Sequence, residues 1–195
     1  MNTTFDPMRI RDHFEESAQL AQDLLRDAGF LEALGHGAHL LIDSLKSGHK
    51  VMSCGNGGSM CDAMHFAEEL SGRYRNDRKP FAAMSFSDPS ALTCIGNDYG
   101  YEHVFARQIA ALGCPGDVLL AISTSGNSAN VLAAAKEAQR LGIRVLSLTG
   151  NGGGQLAALS DVDVCVPWNG YADRIQEVHI RCIHAWIDGI ERAIA

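Results

Sequence analysis

The sequence predicts an α/β fold, a three-layer αβα sandwich around a five-stranded parallel sheet with additional helices at the N-terminus. Short runs such as 118–122 are apolar throughout, which is typical of strands covered on both faces. These runs alternate with longer stretches of helical periodicity, as in parallel α/β sheets. Two loops rich in Gly and Ser, at 55–59 and 123–128, each follow a strand and precede a helix. Ligands of such sheets bind at the carboxyl ends of the strands, where both loops fall.

The elements follow in order along the chain. Two N-terminal helices are separated near Gly29, and Gly142 ends a later helix. The predicted helices are 7–28, 30–47, 59–72, 101–112, 128–141 and 171–194. The predicted strands are 51–54, 82–86, 118–122, 144–148 and 162–166. We expect residues 1–195 to form one domain, in which 1–48 is an N-terminal helical extension.

Composition narrows the class of protein. The 195 residues are 46% hydrophobic, which suits one buried core, and the formal net charge is -7. The sequence has no basic cluster, so we expect no nucleic-acid partner. The N-terminus is polar and charged, unlike a signal peptide, and no apolar run reaches the ~20 residues of a membrane span. We therefore expect a cytoplasmic protein with no membrane partner, whose six cysteines are reduced and mostly buried.

The loop at 123–128 has the composition of a phosphate-binding site. It contains four hydroxyl residues: Ser123, Thr124, Ser125 and Ser128. It also leads into a helix, whose first backbone amides have no partner within the helix and favour an anion. The Walker pattern is absent, so a single phosphate monoester fits better than a nucleotide. The alternative is an ordinary helix cap by Ser128.

The helix after the first loop carries His65 and Glu69, four residues apart on one face. Such a pair can share a metal ion, act as an acid–base pair, or lie on a solvated polar edge. The spacing alone leaves these three interpretations open.

The C-terminal helix has a broad apolar arc, with Arg174 on the opposite, polar side. His179 lies inside this arc and is predicted to be a buried histidine with a hydrogen-bond partner. Gln176 also lies inside it, as a packing anchor or a ligand, and His184 lies at its boundary. Gln176 and His184 are ~12 Å apart along a straight helix and point ~80° apart. One metal ion therefore takes both only if the helix bends or two chains contribute. The wide arc favours packing against a partner, and hence a site between subunits.

Several segments together resemble the bacterial phosphoheptose isomerases of the sugar-isomerase (SIS) superfamily. They are Cys54-Gly55-Asn56-Gly57-Gly58-Ser59, His65–Leu70, Gly96–Tyr101, Gly116–Leu120, Ser123–Asn130 and Gly170–Glu177, with His184. The resemblance runs nearly end to end in the same order, and the segment at 170–177 is its most specific part. One minor departure is Met60, where some members carry another polar or small residue.

The resemblance implies a flavodoxin-like SIS fold, a homotetramer with active sites between subunits, and one zinc ion per subunit. The implied reaction converts D-sedoheptulose 7-phosphate to D-glycero-D-manno-heptose 7-phosphate through an enediol, in ADP-heptose and lipopolysaccharide core biosynthesis. The implied zinc ligands are His65, Glu69, Gln176 and His184. Glu69 and His184 are the implied catalytic base and acid, in either order. The implied substrate-binding residues are Asn56, Gly57, Gly58, Glu69, Asn97, Asp98, Ser123, Thr124, Ser125, Ser128 and Gln176.

Two other functions occur on the same fold. One is a non-catalytic tetramer that binds a replication initiator, which the presence of both Glu69 and His184 disfavours. The other is the sugar-phosphate sensor of a transcriptional regulator. We expect no such role, because the chain has no room for a DNA-binding module and its charge is wrong for one.

Overall fold

A computed structural model describes residues 6–194. The helices are α1 Met8–Leu24, α2 Ala28–Lys46, α3 Gly58–Ser71, α4 Pro89–Tyr99, α5 Ala106–Leu112, α6 Ala129–Arg140, α7 Gly154–Ala157 and α8 Ala172–Ile194, with a 3-10 turn at Tyr101–His103. The strands are β1 Val51–Gly55, β2 Ala83–Ser85, β3 Val118–Ser123, β4 Arg144–Gly150 and β5 Val162–Val166. None of the helices in 6–194 has the length and apolarity that a membrane crossing requires.

The five strands form one parallel sheet in the order β2-β1-β3-β4-β5. Alternate strand residues enter two hydrophobic cores, so that Leu120 packs on one face and Leu119 on the other. Helices α1, α2, α3 and α8 contribute to the first core, and α5, α6 and α7 to the second. The predicted three-layer αβα sandwich is therefore confirmed.

The strand order places the two Gly/Ser loops side by side. The chain leaves β1 for the edge strand β2 and then returns to β3 on the other side of β1. In open parallel sheets this reversal opens a crevice at the carboxyl ends of the two central strands. The loops after β1 and β3 both border this crevice, because Gly55 is paired with Ile122 in the sheet.

Several sequence-based boundaries were wrong. Gly29 does not separate α1 from α2, because Asp27 caps α2 by accepting a hydrogen bond of 3.0 Å from the Phe30 amide. Helices α4 and α7 were not predicted, and the predicted helix 101–112 is a 3-10 turn followed by the shorter α5. Of the six free thiols only Cys54 and Cys182 are buried, so the expectation of mostly buried cysteines was also wrong.

The C-terminal helix α8 differs from its prediction in two respects. Arg174 is buried, whereas the sequence placed it on the exposed side of the helix. Its guanidinium donates hydrogen bonds to the carboxylates of Glu16 in α1 at 2.8 Å and Glu177 at 2.6 Å. The apolar arc of α8 packs against α2, α3 and β4 of the same chain. This arc therefore gives no reason to expect a partner subunit, and the predicted tetramer rests on resemblance alone.

Candidate active site

Three side chains with metal-binding or acid–base groups meet between α3 and α8. His65 Nε2 lies 3.1 Å from Glu69 Oε1. From α8, His184 Nε2 lies 3.4 Å from His65 Nε2 and 3.9 Å from Glu69 Oε2. One ligand atom from each side chain lies within 4.8 Å of the other two. The structure thus brings together three of the four predicted metal ligands, among them both predicted catalytic residues.

The Glu69 carboxylate lacks a partner that its burial requires. Its side chain is 14% exposed, and its Oε2 atom is buried without a hydrogen bond. Leaving such an acceptor unpaired costs ~1–3 kcal/mol, so this oxygen is suited to a ligand, an ion or a transferred proton. Two histidines and one glutamate also form a known ligand set of catalytic zinc, which leaves one position open. The residues present therefore fit a zinc ion.

A buried arginine joins the two helices that supply this cluster. Arg78 pairs with Glu191 of α8 at 2.8 Å and donates hydrogen bonds to the carbonyls of Glu69 at 2.6 Å and Leu70 at 2.9 Å. It thereby caps the last turn of α3 and ties that turn to α8. The sequence carried no signal for this residue, because Arg78 lies in an irregular segment without periodicity.

The predicted ligand Gln176 lies at the other end of the α3–α8 contact. Its side chain packs on Gly58, where an added Cβ would lie 2.5 Å from Gln176 Nε2. Gly58 and His65 are seven residues apart on α3, which corresponds to ~10 Å of helix. Because α8 is one helix from Ala172 to Ile194, Gln176 and His184 of one chain do not converge. A metal-ligand role for Gln176 stays a prediction that requires a second chain.

The loop at 123–128 has the structure of an anion cradle. The hydroxyls of Ser123, at the end of β3, and Ser128, the N-cap residue of α6, lie 3.0 Å apart. The Ser128 side chain makes no capping hydrogen bond, so the alternative of an ordinary cap was wrong. The first amides of α6 are left without a side-chain partner from Ser128, at the positive end of the helix dipole.

A second glycine-rich turn holds this cradle in place. Gly126 has a φ of +63°, and an added Cβ would overlap the carbonyl of Gly153. The Gly126 carbonyl accepts a hydrogen bond of 2.9 Å from the Leu156 amide. Asn127 Oδ1 accepts another of 3.1 Å from the Gln155 amide. These contacts all come from residues 153–156 and hold the cradle against that turn.

The remaining predicted substrate-binding residues divide into two groups. Gly57, whose φ is +54°, and Gly58 form the sharp turn from β1 into α3, and Asn56 beside them contacts Asn130 and Tyr101. Asn97 and Asp98 are exposed near the end of α4, where the Asn97 amide donates to Asp98 at 2.8 Å. The described structure shows no hydrogen bond from this pair to either loop. Sequence reasoning missed Asn130 and Tyr101, although both lie in motifs that it quoted.

Two other titratable groups lie near α3 and α8. His179 is buried, and its Nε2 donates to the Thr149 carbonyl at 3.0 Å, which confirms the prediction of a buried histidine with a partner. Burial lowers its pKa to about 4, so its imidazole is neutral. Burial also raises the pKa of Asp62 to about 6, although its electrostatic interaction with His65 opposes this.

The fold and the cradle define a sugar-isomerase domain, and comparisons agree. A family model described as SIS domain matches residues 12–150. A phosphoheptose isomerase of Tolumonas auensis is 53% identical over 186 residues, which cover 95% of this chain and 97% of that protein. Another from Enterobacter is 52% identical over 94% of this chain and 95% of that protein.

Two solved structures are also similar. The phosphoheptose isomerase GmhA of Neisseria gonorrhoeae has a TM-score of 0.88 at 44% identity, over 95% of this chain and 98% of that one. A phosphoheptose isomerase of Francisella tularensis has a TM-score of 0.91 at 35% identity, over 97% of this chain and 100% of that one. The chain belongs to the phosphoheptose isomerase family.

Proposed function

We propose that this chain converts D-sedoheptulose 7-phosphate to D-glycero-D-manno-heptose 7-phosphate, a ketose–aldose isomerisation within ADP-heptose biosynthesis. The observation that carries the proposal is the cluster of His65, Glu69 and His184 in a chain that also has a phosphate cradle. The names of relatives at 52 to 53% identity support the choice of a heptose phosphate. A cytoplasmic homotetramer is part of the same proposal and rests on the family resemblance.

The proposed mechanism moves one proton between neighbouring carbons. The Glu69 carboxylate takes a proton from C1 of the ketose, next to the carbonyl at C2, and an enediol forms. O2 gains a proton from solvent in the enediol. His184 then protonates C2 while the O1 hydroxyl loses its proton to solvent, which leaves the aldehyde at C1. Exchange with solvent removes the proton from Glu69 and returns one to His184. The unpaired Oε2 atom of Glu69 supports the role of base, because it is buried and has no competing donor. In the reverse direction the two residues exchange roles.

The cradle holds the other end of the substrate. Ser123, Thr124, Ser125 and Ser128 offer hydroxyls, and the first turn of α6 offers backbone amides. The dianionic phosphate would thus be bound without a lysine or arginine in the loop. Asn56, Gly57, Gly58, Asn97, Asp98 and Gln176 are proposed to contact the sugar.

Zinc is the proposed metal, with His65, Glu69 and His184 as ligands and Gln176 contributed by a neighbouring subunit. When bound, zinc would polarise the substrate carbonyl and stabilise the developing oxyanion. The single lone pair on Nε2 of His184 holds either a proton or a metal ion, so its acid and ligand roles exclude each other at any moment. Chelation separates these two roles: a loss of turnover that added zinc restores would assign His184 to the metal. Full turnover by metal-free protein would assign His184 to proton transfer alone.

The proposed function is tested by a coupled assay with sedoheptulose 7-phosphate. Glu69→Gln keeps the shape of the side chain and removes the base, so we expect kcat to fall on the order of 100- to 10,000-fold. Glu68→Gln, an exposed neighbour on the same helix, is the matched control and should turn over normally. Near-normal kcat in Glu69→Gln would refute the assignment of the base. A wild-type chain without turnover, with or without zinc, would refute the proposed function.

A further inference from the structure

Two asparagine side chains link the loop after β1 to the first turn of α6. Asn56 Nδ2 donates to Asn130 Oδ1 at 2.8 Å, and Asn130 Nδ2 donates back to Asn56 Oδ1 at 2.8 Å. The Tyr101 hydroxyl adds a third bond, of 3.1 Å, to the same Asn56 oxygen. Asn130 is 3% exposed, whereas Asn56 is half-buried and Tyr101 is 57% exposed. The pair therefore has one buried member and one that borders the crevice.

These bonds determine what Asn56 has left to offer a ligand. An amide oxygen accepts two hydrogen bonds and an amide nitrogen donates two. The Asn56 oxygen already accepts from Asn130 and from Tyr101, so both of its acceptor positions are used. Its nitrogen donates once, to Asn130, and keeps one free N–H. Towards a ligand, Asn56 is thus a donor and not an acceptor.

We infer that Asn130 and Tyr101 are positioning residues that hold the Asn56 amide so that it presents a single N–H to an acceptor oxygen of the substrate. This inference rests on the proposed function, in which Asn56 contacts the sugar. Neither residue needs to touch the substrate itself, because each acts through Asn56.

The position of Asn130 gives the pair a second consequence. Asn130 is the second residue of α6, the helix whose first amides face the phosphate cradle. The same helix turn therefore binds the phosphate and orients the donor on the sugar side. Since both contacts start from the first turn of α6, helix geometry sets the distance between them before the substrate arrives.

A double-mutant cycle tests the inference, with Asn56→Ala, Asn130→Ala and the double variant measured by the coupled assay. We expect Asn130→Ala alone to lower kcat/KM on the order of 10- to 100-fold, because misplacement of a contact group by about 1 Å has effects of this size. In the Asn56→Ala background the same change should have almost no further effect. Tyr101→Phe should give a smaller loss. Gln139→Ala, an exposed amide on the same helix, should leave turnover unchanged.

A purely structural role of Asn130 would give a different pattern. The cradle uses backbone and hydroxyl groups, so competitive inhibition by inorganic phosphate should be unchanged in Asn130→Ala. A loss of phosphate inhibition in Asn130→Ala would overturn the inference. So would an equal effect of Asn130→Ala on kcat/KM in the wild-type and Asn56→Ala backgrounds. In either case, turnover by the wild type leaves the proposed function intact. A wild-type chain without turnover would instead refute the proposed function, and the inference with it.

Discussion

His179 should make the stability of this protein sensitive to mild acid. Its Nε2 donates to the Thr149 carbonyl, whereas Nδ1 is buried without a partner, so a second proton would create a buried charge. The folded-state pKa of about 4 lies below the ordinary value of 6.5. The unfolded chain therefore binds the proton first, and stability is lost as pH falls from about 6.5 towards about 4.

The size of this effect follows from the two pKa values, 6.5 and about 4. Their separation corresponds to a total loss of ~3 kcal/mol in the free energy of unfolding. At about pH 5 the protein has lost ~2 kcal/mol of this total. Asp62 opposes it, because its pKa is raised to about 6 and it favours the folded state in acid. A variant that lacks only the imidazole isolates the contribution of His179.

His179→Gln is suitable, because a glutamine amide can donate to the Thr149 carbonyl and does not titrate. Urea unfolding of both proteins at equal concentration, at about pH 7 and about pH 5, gives the comparison. We expect the free energy of unfolding of the wild type to fall by ~2 kcal/mol more than that of the variant between these two conditions. Parallel losses in the two proteins would refute the explanation.

Two further predictions concern the helices of the active site. Gly58→Ala should change the free energy of unfolding by less than ~1 kcal/mol, since only the flexible end of Gln176 must move, but it should lower kcat/KM. Gly35→Ala, inside α2 with no neighbour within 4 Å, should stabilise that helix by up to ~1 kcal/mol and leave kcat/KM unchanged. Arg78→Lys should destabilise by ~1–3 kcal/mol and lower kcat, because lysine cannot reproduce the fork that joins Glu191 to the end of α3. Arg75→Lys changes an exposed arginine and should lower the free energy of unfolding by less than ~1 kcal/mol. Equal effects of Arg78→Lys and Arg75→Lys in thermal unfolding would contradict the role of Arg78.

The sheet and its two loops were predictable because they depend on local patterns. Each buried strand is a continuous apolar run, and a Gly/Ser loop directly after such a run marks the carboxyl edge of the sheet. Helix α4 was missed, since it contains Pro89 and Gly96 and lacks a clear apolar face. Its start nevertheless carried a signal, because Asp88 caps it at 2.8 Å and proline follows at the first position.

The contacts that complete the site were not predictable, because they join residues far apart in sequence. Asn56 and Asn130 are 74 positions apart, and Arg174 and Glu16 are 158. Helical periodicity placed Arg174 on a solvent-facing side. Periodicity carries no information on a carboxylate that is distant in the sequence, so the contact with Glu16 could not be predicted. By contrast, the i, i+4 spacing of His65 and Glu69 correctly indicated a shared face, and only the fold could add His184 to it.

The fixed backbone of the phosphate cradle has a thermodynamic consequence. A loop that orders only when its ligand arrives loses conformational entropy of about 1–2 kcal/mol per residue, and its affinity falls accordingly. Here Gly126 is already wedged against Gly153, and Asn127 is bonded to the Gln155 amide. Phosphate binding should therefore proceed with little ordering of the loop. Calorimetric titration would then report mainly the heat of new hydrogen bonds and the release of water.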